Sequence, residues 1–129
     1  MALWNAIDDQ PDHAARAARA ALAIAAAIRE DNRGHEVPVR VRIGLHSGPV
    51  VVGNIGTATR MNYTVVGDTV NVAQRLEVLA KDLRPDAEVA ILLSATTAAA
   101  LPRGLAVTSL GWHQLRGRDD PTEIFALEV

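Results

Sequence analysis

Two polar side chains with chemical potential, Asn71 and Arg75, lie four positions apart in a segment whose apolar residues repeat with a helical period. Residues with this spacing share one face of a helix. An amide can hydrogen-bond a sugar oxygen, and a guanidinium offers a planar fork of donors that suits phosphate charge. The same spacing also fits an ordinary solvated helix face, on which Arg75 pairs with Glu77 or another surface acid.

The sequence lacks the residues and motifs that several other kinds of chemistry require. The sequence contains no cysteine, which excludes disulfides, thiolate metal sites and cysteine nucleophiles. It has no phosphate-binding loop of the G-x-x-x-x-G-K-[ST] type, no G-x-G-x-x-G and no G-x-S-x-G. The four histidines have no metal-ligand spacing, and we interpret His46, in a strand-to-turn stretch, as a structural histidine.

The elements that must position the Asn71–Arg75 pair follow from periodicity. The pattern predicts helices over 13–29, with Asp12 as N-cap, over 70–83, capped by Asp68 or Thr69, and over 95–100, capped by Ser94. It predicts the end of a strand over 1–4 and strands near 37–43, 50–52, 63–66, 88–93, 105–110, 112–115 and 122–127, with a loop over 53–60. This order indicates an α+β fold with helices packed on one face of a mostly antiparallel sheet.

Length and composition limit the possible functions. The chain has 129 residues, of which 49% are hydrophobic and 22% charged, as expected for one folded domain. A net charge of −2 and 3% aromatic residues argue against a nucleic-acid partner, including an RNA-binding α+β domain. The longest apolar run, over 20–28, is too short to span a membrane, so we expect a cytoplasmic chain without membrane contact.

Two long motifs carry a family resemblance. They read Arg42-Ile-Gly-Leu-His-Ser-Gly-Pro-Val-Val-Val-Gly-Asn-Ile-Gly56 and Tyr63-Thr-Val-Val-Gly-Asp-Thr-Val-Asn-Val-Ala-Gln-Arg-Leu76. Together they closely resemble the catalytic domain of class III nucleotidyl (adenylate/guanylate) cyclases of the bacterial type. Leu115-Arg-Gly-Arg118 resembles the phosphate-contacting loop of that family. The resemblance covers nearly the whole chain and implies a ferredoxin-like sandwich of the nucleotidyl cyclase type, with 1–129 forming a single partial catalytic domain.

The resemblance implies roles for individual residues. Asn71 matches the residue that orients the ribose, and Arg75 matches the arginine that stabilises transition-state charge at the α-phosphate. Thr64 matches the base-contacting position, where a hydroxyl favours ATP over GTP but discriminates weakly. Arg116 matches a position often held by a phosphate-binding lysine. The alternative for Arg116 and Arg118 is a solvated β-hairpin.

The metal ligands of the family have no match in this chain. The family binds two Mg²⁺ or Mn²⁺ ions through two aspartates that would both precede Met1, whereas Asp8, Asp9 and Asp12 resemble turn and cap residues. We therefore expect a domain truncated at its N-terminus that binds no metal by itself and is inactive alone as an adenylate cyclase.

Partners follow from the same resemblance, because active sites in this family form across a dimer. We expect ATP and a second cyclase subunit as partners, in a homodimer or a swapped oligomer. The alternative is a non-catalytic dimerisation or regulatory module derived from a cyclase. Retention of both Asn71 and Arg75 favours the enzyme, because a module without chemistry has no need of them.

Overall fold

The computed structural model describes the backbone of residues 1–6, 8–57 and 60–129, and the side chains of these ranges outside 52–66. The elements in chain order are α1 (His13–Asn32), β1 (Val41–Leu45), β2 (Val51–Thr57), β3 (Arg60–Val66), α2 (Asp68–Leu83), β4 (Val89–Ser94), α3 (Ala95–Ala99), β5 (Val107–His113) and β6 (Thr122–Leu127). No helix within these described ranges has the length and apolar character needed to cross a lipid bilayer.

The central sheet has four strands in the order β1-β4-β6-β5. Strands β1 and β4 are parallel, while β4 with β6 and β5 with β6 are antiparallel. A separate antiparallel hairpin consists of β2 and β3. The structure therefore confirms an α+β fold with a mostly antiparallel sheet.

Helices cover both faces of this sheet, so the expectation of helices on a single face is wrong. Ala90 and Leu92 of β4 pack in one cluster with the buried residues of α2, which are Val72, Leu76 and Ala80. Ile91 and Leu93 belong to a second cluster with the alanines of α1. Because successive strand residues point to opposite faces, α1 and α2 lie on opposite sides. The physical reason is visible in β4, whose residues are all buried, as expected for a strand covered twice.

Helix α2 lies unusually close to β1. A β-carbon added to Gly44 would collide with the carbonyl oxygen of Ala73 and come within 2.8 Å of the Glu77 nitrogen. Only a residue without a side chain permits this approach. The contact places the middle of α2 beside the end of β1, one turn after Asn71.

Several element boundaries differ from the predicted ones. Helix α1 continues to Asn32, because the buried Asn32 side chain hydrogen-bonds both the nitrogen and the oxygen of Val39, at 2.8 and 2.9 Å. The two predicted strands over 105–110 and 112–115 form one strand, β5, with a register irregularity between Ser109 and Trp112. Strands β2 and β3 also extend into the segment predicted as a loop, and residues 1–4 form no strand.

The predicted helix caps have mixed outcomes. Ser94 caps α3, since its hydroxyl accepts a hydrogen bond from the Thr97 nitrogen. Asp12 makes no side-chain cap bond, because its carboxylate instead binds Arg16 at 2.8 Å. Helix α2 begins at Asp68 after the N-cap Gly67, again without a side-chain cap bond, and the Thr69 hydroxyl donates to the carbonyl of Pro49.

Candidate active site

One flank of α2 carries the predicted pair. Asp68, Asn71 and Arg75 recur at intervals of three and four residues and therefore lie along one face of the helix. The buried stripe of Val72 and Leu76 runs beside them and fixes the rotation of the helix against the sheet. Asn71 is exposed, and the Arg75 side chain is 29% exposed. The structure thus brings Asn71 and Arg75 together on an accessible flank, as their spacing predicts.

A tight turn in the β5–β6 loop faces this flank. The Arg118 nitrogen donates to the Leu115 carbonyl at 3.1 Å, and Gly117 has a φ of +82°. A positive φ at the third position is the mark of a type II turn, for which glycine is the usual residue. The buried Leu115 side chain anchors the turn in the same core cluster as α2.

The turn and the helix meet through one carboxylate and two guanidinium groups. Asp68 Oδ2 binds Arg118 Nη2 at 3.0 Å, and Asp68 Oδ1 lies 4.0 Å from Arg75 Nη1. The guanidinium of Arg75 lies against Gly117, where an added β-carbon would come within 3.0 Å of Nη2 and 3.3 Å of Cζ. We call Asp68, Arg75, Gly117 and Arg118 the Asp68 cluster.

The ion pairs of the Asp68 cluster contribute little to stability. The side chains of Asp68 and Arg118 are 69% and 39% exposed, and exposed pairs of this kind stabilise a fold by roughly 0–1 kcal/mol. Their larger consequence is geometric, because they hold two cationic groups next to each other beside Asn71. Two positive charges and one negative charge leave a net positive site that suits an anionic ligand.

His46 lies behind the cluster, at the end of β1. Its Nδ1 is 2.8 Å from the Ser94 hydroxyl, which is 3.1 Å from the Thr97 hydroxyl. Burial lowers the pKa of His46 below its ordinary value of 6.5, the charge of Arg118 lowers that pKa further, and Asp68 opposes the change. His46 is therefore neutral near pH 7 and hydrogen-bonded within the fold, in agreement with its interpretation as a structural histidine.

The two predicted substrate-binding residues are not members of the Asp68 cluster. Arg116 occupies the exposed corner of the turn and forms no ion pair with any described residue. The backbone of Thr64 lies in β3, opposite Gly53, and its side chain is outside the described residues. Arg118 is only partly solvated: its side chain is 39% exposed, while its Nε is buried and has no hydrogen-bond partner in the described part of the chain.

The alternative in which Arg75 pairs with Glu77 or another surface acid is seen in its second form, because Asp68 Oδ1 lies 4.0 Å from Arg75 Nη1. No pair with Glu77 forms among the described residues, since residues two apart face different sides of a helix. Sequence reasoning missed two members of the Asp68 cluster. The sequence pattern predicts Asp68 only as a cap, although Asp68 lies one further helical turn before Asn71. Gly117 sits between two arginines in a predicted polar loop, a pattern that signals a turn but not what the turn contacts.

The described residues do not fit the two metal ions that the family resemblance implies. No group of three or more His, Asp or Glu side chains converges anywhere in the described ranges. Asp68, the acidic residue of the candidate site, faces two guanidinium groups, which is an unfavourable place for a cation. The carboxylate of Asp12 forms an ion pair with Arg16. No step of the chemistry is therefore assigned to a metal held by these residues.

Comparisons with known proteins agree with this geometry. Residues 1–128 match the family described as "Adenylate and Guanylate cyclase catalytic domain". Adenylate cyclase 1 of Rhizobium meliloti (strain 1021) is 36% identical over 129 residues, which cover 97% of this chain and 19% of that protein. Retinal guanylyl cyclase 2 of Mus musculus is 40% identical over 108 residues, or 82% of this chain and 9% of that protein.

A solved structure shares the fold. The guanylate cyclase domain of RhGC from Catenaria anguillulae, in complex with GTP, superimposes with a TM-score of 0.82 at 29% identity and covers 97% of this chain and 64% of that one. The chain thus spans less than a fifth of these curated relatives and under two thirds of the solved domain. With its two motifs over 42–56 and 63–76 and the match over 1–128, the chain belongs to the adenylate and guanylate cyclase catalytic domain family.

Proposed function

We propose that this chain supplies the asparagine–arginine half of an adenylate cyclase active site in the cytoplasm. In this reaction the ribose 3′-oxygen of ATP attacks the α-phosphorus. The bond from the α-phosphorus to the bridging oxygen breaks, pyrophosphate leaves with that electron pair, and the 3′-hydroxyl proton is released. The products are 3′,5′-cyclic AMP, an intracellular signal, and pyrophosphate.

One observation carries the proposal: Arg75 is partly exposed on the same flank of α2 as Asn71, and the nearest carboxylate oxygen among the described residues lies 4.0 Å from its Nη1. A guanidinium in a tight bidentate pair would have its donors occupied. At 4.0 Å, the contact with Asp68 is too long for a hydrogen bond, so it does not occupy the donors of Arg75 that would bind phosphate oxygens. Stabilising charge that develops in the transition state is often the largest single term in enzyme catalysis. We assign that role to Arg75 and the orientation of the ribose to Asn71.

The substrate assignment rests on Thr64 and Arg116. A threonine hydroxyl at the base-contacting position favours adenine, and Arg116 offers an exposed cation for the polyphosphate. Relatives of both adenylate and guanylyl type match this chain. ATP and GTP are therefore compared side by side in every assay.

A second subunit completes the site in this proposal. No group of three or more His, Asp or Glu side chains converges among the described residues, so in this proposal the Mg²⁺ or Mn²⁺ ions of the intact family enzyme would be held by the partner. That partner would be a cyclase subunit with its own metal ligands. A homodimer or swapped oligomer of this chain would lack a full site, and we therefore propose no turnover by this chain alone.

Complementation tests the proposal. The chain is mixed with a class III cyclase that keeps its metal aspartates but carries alanines at its own asparagine–arginine pair. We expect cyclic AMP from ATP in the mixture and none from either protein alone, measured by mass spectrometry with Mn²⁺ present. A mixture no more active than its components contradicts the proposal.

A second candidate function is a non-catalytic dimerisation or regulatory module, favoured by the lack of a metal-binding cluster among the described residues. The complementation experiment separates the two candidates. A module of this kind would bind the partner without restoring turnover, and replacing Arg75 would leave its binding unchanged.

A further inference from the structure

We propose that Asp68 is a positioning residue, which holds the guanidinium groups of Arg75 and Arg118 side by side and thereby orients Arg75 toward the nucleotide. The claim that Asp68 orients Arg75 toward a nucleotide rests on the proposed function. The claim that Asp68 holds the Arg75 and Arg118 side chains in place concerns this chain alone. Asp68 does not contact the reacting atoms. It acts through the two arginines.

The first step of the argument is the geometry of the carboxylate. Each oxygen of Asp68 faces a different arginine, Oδ2 to Arg118 at 3.0 Å and Oδ1 to Arg75 at 4.0 Å. Asp68 is the first residue of α2, where the positive end of the helix dipole favours a negative charge. The carboxylate therefore stands at the point where the helix meets the turn.

The second step concerns Arg118. Its Nε is buried without a hydrogen-bond partner among the described residues, which disfavours this conformation. Another interaction must compensate, and the 3.0 Å contact with Asp68 is the ion pair that Arg118 makes within the described part of the chain. The Arg118 side chain thus depends on Asp68 for its position.

The third step links Arg118 back to Arg75. Gly117 immediately precedes Arg118 and lies against the Arg75 guanidinium, with an added β-carbon within 3.3 Å of both Cζ and Nη1. By fixing Arg118, Asp68 therefore also fixes the Gly117 backbone against which the Arg75 guanidinium packs. Asp68 restrains Arg75 twice, by direct attraction and through the turn.

Arg118 gains a role from this arrangement. It places a second guanidinium beside Arg75, whereas the exposed Arg116 lies at the corner of the turn. A polyphosphate bound near Arg75 would meet two neighbouring cations, which suits its charge better than one. Asp68 balances one of them and prevents their mutual repulsion from separating them.

The first experiment measures the positions of the arginines in the chain alone. We compare Asp68→Asn and Asp68→Glu with Asp82→Asn, which removes the same charge from an exposed position near the other end of α2. The readouts are the NMR signals of the Arg75 and Arg118 side-chain Nε–H groups and the amide hydrogen exchange of the turn over 115–118.

We expect D68N to shift both arginine signals and to raise exchange in the turn about tenfold, with D68E intermediate and D82N like the wild type. Exchange in β4 serves as the measure of global folding and should stay constant. Arginine signals and turn exchange that are the same in D68N and D82N would overturn the proposal.

The second experiment uses complementation with the cyclase that lacks its own asparagine–arginine pair. Because Arg75 acts on the transition state, its misplacement lowers kcat more than it raises KM. We expect D68N to reduce kcat about tenfold with KM within about twofold, and D68E to recover part of the loss. Equal kcat for D68N and D82N would overturn the orienting role. If the wild-type chain itself restores no turnover, the proposed function fails, while the NMR measurement still decides whether Asp68 holds the two arginines.

Discussion

The guanidinium of Arg75 lies against the backbone of Gly117, so closely that a β-carbon at position 117 would come within 3.0 Å of Nη2. The two residues belong to different elements, helix α2 and the turn between β5 and β6. Their contact joins the helix that carries Asn71 to the loop that carries Arg118. A glycine is required there both by its φ of +82° and by the neighbouring side chain.

Gly117→Ala should therefore disturb Arg75 in addition to straining the backbone. Gly111→Ala is the matched control, because Gly111 has a similar φ of +86° but open space around an added β-carbon. We expect both variants to lose about 1–2 kcal/mol of unfolding free energy in urea. Only G117A should also lower complemented turnover, by about tenfold or more. Equal turnover for G117A and G111A would contradict the role of this contact.

Arg75→Lys keeps the positive charge but loses the planar fork that bridges two oxygens. We expect kcat in the complementation assay to fall about a hundredfold, as when a single transition-state donor is removed. The unfolding free energy should change by less than about 0.5 kcal/mol, because Arg75 is partly exposed. Arg19→Lys, an exposed position on α1, is the control for the substitution itself. A turnover of R75K close to that of R19K would speak against Arg75 as the transition-state residue.

His46 should make the folded chain less stable in mild acid. Burial, and then the charge of Arg118, lowers its pKa in the folded state below the ordinary 6.5. As the pH falls below 6.5, the unfolded chain takes up a proton that the folded chain still excludes. The contribution of His46 to stability is therefore complete above that pH and is lost as the pH falls through the lower folded pKa.

This expectation is checked by urea unfolding between about pH 7.5 and about pH 5.5. The wild type should lose more unfolding free energy over this range than His46→Gln, which has no group to protonate at that position. His35→Gln removes an exposed imidazole and controls for the loss of a histidine as such. If H46Q and the wild type have parallel pH profiles, the burial of His46 has no consequence for stability.

Gly44→Ala tests the close approach of β1 to α2. An added methyl group would collide with the Ala73 carbonyl and the Glu77 nitrogen, and backbone atoms cannot move aside as a side-chain end can. We expect a loss of about 3 kcal/mol of unfolding free energy, or failure to fold. Gly34→Ala, whose added β-carbon would meet its nearest neighbour at 3.8 Å, should stay within about 0.5 kcal/mol of the wild type. Similar losses in both variants would show that the tight packing is not needed.

The sequence by itself determined the features that depend on local spacing. The helical period over α2 places Asn71 and Arg75 on one face, because neighbours on a helix follow from its geometry alone. The Ser94 cap of α3 was equally predictable, since a cap involves residues three apart. The family motifs are likewise continuous stretches of residues.

Only the tertiary structure decided which loop arginine pairs with Asp68. Asp68 and Arg118 are 50 positions apart in the chain, and their contact depends on how the β5–β6 turn lies against the start of α2. It also decided that the helices cover both faces of the sheet, because β4 buries its two sides against different helices. Contacts of this kind arise from packing between distant segments, and no periodicity within one segment encodes them.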